Sequence, residues 1–225
     1  MLDVFSQEQK IKKILTCLYE ENRSSAISAQ EEWLNKLKNI LLEEPHYCKD
    51  RDKFNARLDN FYLETNNNNL LTAVCGEIGN NAFDHNLGHW RDNDISGLYF
   101  NWQIKGFVIF VDRGVGVRKT LSRVRPDISS DEEALQVAFN ERISGRSPER
   151  RGNGLKFVKK IVMEQKWDLY FQSGNGFCEM SDGEISFGKA ERQSSLGLVS
   201  LVTSQVFPVK KEEAVFGCVA LLKYK

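Results

Sequence analysis

The 225-residue sequence is 41% hydrophobic and 28% charged, the proportions of an ordinary soluble globular chain. Its 31 basic residues balance 31 acidic ones, so bulk charge supplies neither a nucleic-acid nor a membrane surface, and direct binding to either is not expected. Five cysteines (Cys17, Cys48, Cys75, Cys178 and Cys218) without Cys-x-x-Cys spacing argue against a zinc site or a disulfide scaffold and for a reducing, cytoplasmic setting.

The first sixty residues carry three amphipathic stripes: Ile11, Ile14, Leu15 and Leu18; then Trp33, Leu34, Leu37, Ile40 and Leu41, stopped by Pro45; then Phe54, Leu58, Phe61 and Tyr62. This N-terminal helical segment, residues 1–64, has apolar faces to bury, either on the rest of the chain or across a homodimer. The opening residues have neither a basic stretch nor an apolar leader core, and no apolar run approaches the roughly 20 residues that span a bilayer. The asparagines Asn66–Asn69 can cap the next helix, expected over residues 70–85 with Leu70, Leu71, Val74 and Ile78 on its buried side.

Beyond it the pattern is mixed. Strands are expected over residues 97–102 and 106–111, rich in aromatic and β-branched residues. Ser130 followed by Glu133 reads as a capping box opening a helix through Leu135, Ala138 and Phe139, and a further helix is expected from Asn153 to Glu164. Strands follow near Trp167–Phe171 and Phe216–Leu222, with shorter ones at Gly183–Phe187 and Leu198–Thr203 in an insertion of about residues 177–214.

Three short segments stand out: Glu77-Ile-Gly-Asn-Asn-Ala-Phe-Asp-His85, Val111-Asp-Arg-Gly-Val-Gly116 and Arg151-Gly-Asn-Gly-Leu155. Taken singly they are a polar helix face, a turn and a flexible loop. Glu77, Asn81 and His85 stack along one helix face at intervals of four. Asp112 ends an apolar strand, and Gly114 and Gly116 let the backbone approach a ligand closely. Gly152 and Gly154 precede a helix, whose N-terminus can hold an anion. The third segment is neither a Walker loop nor a dinucleotide fingerprint.

In this order the three segments resemble the nucleotide site of the GHKL superfamily, which includes gyrase, the heat-shock chaperone ATPase, histidine kinases and MutL. The resemblance covers residues 65–225 and is closest to the histidine kinase-like and anti-sigma-factor serine kinase domains. It implies an α+β, two-layer sandwich of the Bergerat type, a mixed, mostly antiparallel sheet covered by helices, with ATP and Mg²⁺ as cofactors. On that resemblance Asn81 holds Mg²⁺, Glu77 is the catalytic base, and Asp112 reads adenine with Gly114 and Gly116. Gly152, Gly154 and Leu155 carry the phosphate loop, and His85 either supports the triphosphate or caps its helix. Residues 117–151 become a lid, in which one or two of Arg142, Arg146, Arg150 and Arg151 fold onto the phosphates. The implied function is a stand-alone regulator that binds Mg-ATP and phosphorylates or sequesters a protein partner. The alternatives are a soluble protein autophosphorylated on His46, which follows Pro45 in poor helical context, and a non-enzymatic ATP-gated interaction module.

Overall fold

The structure is a computed structural model that describes residues 45–86, 88–90, 96–103, 105–142, 153–189 and 215–224, with positions 35, 38, 39 and 42. Among these residues the elements run β1 (Tyr47–Cys48), α1 (Arg51–Glu64), α2 (Asn69–Asn86), β2 (Leu98–Asn101), β3 (Phe107–Asp112), α3 (Gly116–Leu121), α4 (Asp131–Asn140) and α5 (Gly154–Gln165). Strands β4 (Asp168–Gly174), β5 (Gly176–Ser181), β6 (Glu184–Lys189) and β7 (Val215–Lys223) complete it. No described helix is long and apolar enough to cross a membrane. The first two stripes, Leu198–Thr203 and the arginine-rich stretch 143–151 lie outside the described residues.

Local chemistry sets the helix starts. Asp50 caps α1 by accepting from the Lys53 amide at 2.8 Å, and Asn68 Oδ1 accepts from the Leu71 amide at 3.0 Å at the head of α2. Asn66 and Asn67 take up the left-handed conformation between the two helices, with φ of 55° and 59°. Ser130 accepts from the Glu133 amide at 3.1 Å, as a capping box requires, whereas the Glu133 carboxylate reaches back to the Ser129 amide at 2.7 Å, one residue earlier than expected.

The seven strands form one sheet in the order β1-β2-β3-β7-β4-β5-β6. Every described pairing is antiparallel, which corrects the expectation of a mixed sheet. The reason is the position of β7. β3 and β4, joined through α3, α4 and α5, run parallel to each other, but β7 lies between them antiparallel to both, so no parallel neighbours remain. β5 and β6, at the start of the expected insertion, extend the same sheet as a hairpin.

One sheet face presents Leu98, Phe100, Val108, Phe110, Leu169, Phe171, Ala220 and Leu222 to α1, α2, α4 and α5, giving a helix layer on a sheet layer. On α2 the buried face is Leu71, Val74, Cys75, Ile78 and Ala82. Leu70 departs from expectation: it lies about 100° from the centre of that face at 100° per residue, and is 41% exposed. Phe54 of α1 is fully buried and meets Phe83 and Phe100 at ring-centroid distances of 6.1 and 5.3 Å. The third N-terminal stripe therefore belongs to the same core as residues 65 onward. The alternate strand residues Tyr99, Ile109, Val111, Tyr170, Val219 and Leu221 are buried too, which explains the near-continuous apolar runs of β3 and β7.

Candidate functional site

A cavity of about 620 Å³ opens where α2, α5 and the ends of β3 and β7 converge, with α3 and α4 along another side. Its volume is that of a small-molecule or nucleotide pocket. Glu77, Asn81, His85, Asp112, Gly116, Gly154 and Leu155 all line it, so the three segments meet in space.

The α2 wall is polar because the helix buries the opposite side. Glu77, Asn81 and Asp84 fall within about 60° of one another around the axis, and all three line the cavity. Asn80 lines it as well, although it projects about 100° from Asn81; its buried Oδ1 has no hydrogen-bond partner among the described residues. His85 stands in the last turn of α2 and on the cavity wall, a position that serves both roles considered for it.

Glu77 closes on the head of α5. A Cβ on Gly154 would lie 2.4 Å from Glu77 Oε2 and 3.9 Å from Asn81 Nδ2, so only glycine allows the carboxylate this close to the backbone. Asn153, the N-cap of this 12-residue helix, makes no side-chain cap bond, which leaves the first amides for another acceptor. Leu155 and the fully buried Val158 pack the helix back on the core. Arg146, Arg151 and Gly152 lie outside the described residues; Arg142 is described and exposed.

Asp112, at the end of β3, is 6% exposed. Its Oδ1 accepts from the Gly114 amide at 2.8 Å and from Asn86 Nδ2 at 3.2 Å, while Asn86 Oδ1 accepts from the Val115 amide at 2.9 Å. Asn86 thus holds the loop and the carboxylate together, and a Cβ on Gly114 would sit 1.9 Å from its amide. Burial pushes the Asp112 carboxyl up to about 6, against hydrogen bonds from Gly114, Cys218 and Asn86 that pull it down. Burial, and the carboxylate beside it, raise the Cys218 thiol well above its ordinary range, so it stays protonated. Gly116 opens α3 at φ 77°, next to Ser173, whose Oγ accepts from the Val117 amide at 2.9 Å and donates to the Gly217 carbonyl at 3.2 Å.

Asn86, Ser173, Gly217 and Cys218 were not singled out from the sequence. Nothing local marks them, since their partners lie far along the chain. Asn86, directly after His85, carried the one available signal: an amide on the otherwise apolar, buried side of the last turn of α2.

Among the described residues no group of three His, Cys, Asp or Glu side chains could hold a metal ion by itself. The donor set instead fits an ion that arrives with a phosphate ligand and keeps much of its water, as Mg²⁺ does. Asn81 supplies a neutral oxygen, and the orphaned Asn80 oxygen and the close approach at Gly154 mark a cradle on the same wall. Comparison of the chain with protein-family models, curated proteins and solved structures returns no match.

Proposed function

We propose that the chain binds Mg-ATP in a Bergerat-type site of the GHKL kind, and regulates a protein partner by phosphorylating or sequestering it, as anti-sigma-factor serine kinases do. The observation that carries this reading is the convergence of three separated segments on one cavity, with Glu77 against the head of α5, Asn81 beside it and Asp112 on the same lining. A bound Mg²⁺ would supply positive charge to offset the triphosphate, and Asn81 would be its ligand from the protein through the amide oxygen. The uncapped amides of α5 hold phosphate. Glu77 accepts the proton of the attacking water or hydroxyl. Asp112 accepts from the adenine amino group, which takes the place of the weak Cys218 thiol donor, whereas a guanine carbonyl is repelled.

His46 is 3% exposed and its ring lies tilted against that of Tyr99 at a centroid distance of 5.5 Å, which weighs against the reading in which it accepts a phosphoryl group. Calorimetric titration with ATP, ADP and GTP, with and without Mg²⁺, tests the site. ATP is expected to bind in preference to GTP, and absence of ATP binding would sink the proposal. Incubation with γ-labelled ATP then separates the activities: label on a protein indicates a kinase, free phosphate alone an ATPase, and neither an ATP-gated interaction module.

A further inference from the structure

We infer that Arg51, the first residue of α1, is a polyphosphate-contacting residue of the cavity. The inference rests on the nucleotide reading above and adds a residue that lies outside all three motif segments. Its ground is charge. Among the described residues lining the cavity, Glu77, Asp84 and Asp112 bring three carboxylates, and Arg51 is the one lysine or arginine. A wall so acidic repels a nucleoside polyphosphate unless cations offset it, and a guanidinium matches phosphate geometry with two parallel donors.

Position supports the same role. Arg51 follows the Asp50 cap, so its side chain leaves the head of α1 toward α2, where its Nη2 donates to Asp84 Oδ1. Asp84 lies three residues after Asn81 on the cavity side of α2, a neighbour spacing of about 5–6 Å on a helix surface. The guanidinium is therefore held within one helical turn of the residue that faces the metal-bound phosphates. The Arg51 side chain is 42% exposed and that of Asp84 only 16%, so the aspartate anchors the arginine without enclosing it. Asn55, one turn further along α1, also lines the cavity, which makes this end of α1 part of the site rather than a bystander.

A ladder of ligands tests this. ATP, ADP and adenosine are titrated calorimetrically, with Mg²⁺, into the 225-residue chain and into its Arg51→Gln and Arg51→Lys variants. Arg51→Gln is expected to weaken ATP and ADP about ten- to a hundredfold, with adenosine unchanged within about twofold, while Arg51→Lys recovers part of the loss. Wild type that binds ATP while Arg51→Gln binds all three ligands as tightly as wild type overturns the inference and leaves the site reading standing. Equal weakening of all three, adenosine included, marks a structural role and also overturns it. Wild type that binds none of the three defeats the site reading itself and the inference with it.

Discussion

Asp112→Asn is expected to stabilise the protein and weaken nucleotide binding at the same time. The carboxyl is raised from 3.8 to about 6, its largest cause burial. It therefore holds its proton more tightly folded than unfolded. Stability falls as pH rises from the unfolded value of 3.8 to the folded value of about 6, and the loss is complete above that. At 1.36 kcal/mol per unit the ionised carboxylate costs the fold about 3 kcal/mol near neutral pH. Asparagine is nearly isosteric, keeps an oxygen for the Gly114 and Asn86 donors, and carries no charge to desolvate. Urea unfolding between pH 3 and 8 should show wild-type stability declining through the window while the variant stays flatter. The two curves should meet at the acid end and differ by up to about 3 kcal/mol at the other. In the same variant ATP and ADP affinity should fall alike, by about ten- to a hundredfold, because one charge-assisted bond to the base is lost. Wild-type ATP affinity should rise with pH through about 6 as Asp112 ionises. Parallel stability curves would refute the burial argument; undiminished ATP binding would refute the role in base recognition.

Asn81→Ala should abolish Mg²⁺-dependent ATP binding with little change in thermal unfolding, since Asn81 lies on the polar face of α2; unaltered affinity in Mg²⁺ counts against this helix as the metal wall. Glu77→Ala should keep ATP binding and lose turnover by about 10²–10⁴-fold, measured as phosphate released or transferred. A fully active variant would remove Glu77 from the chemistry. Gly79→Ala should destabilise the fold by about 1–3 kcal/mol, because its Cβ would lie 2.1 Å from the ring of the fully buried Phe54; an unshifted melting temperature would show that α1 does not pack on α2 as described.

The sequence by itself determined the local structure. Capping at Asn68 and Ser130, the apolar faces of α2, α4 and α5, and the aromatic and β-branched strands β2, β3 and β4 follow from residues within one or two turns of each other. The three motif segments were legible for the same reason, as each is a short run of side chains and glycines whose spacing fixes a helix face or a turn. Tertiary structure decided what joins them. The antiparallel order that threads β7 between β3 and β4 depends on which apolar strands bury one another, and periodicity does not encode neighbours. The supports of the site come from distant pairs: Asn86 with Asp112 across 26 residues, Ser173 with Val117 across 56, and Ser173 with Gly217 across 44. Leu70 turned outward, and Arg51 and Asn80 turned toward the cavity, because a helix residue's surroundings depend on what packs around the helix as well as on its own sequence. A lone arginine at the start of α1 has no local signature of a phosphate contact; only the docking of α1 on α2, with Phe54 buried between them, sets it beside Asp84.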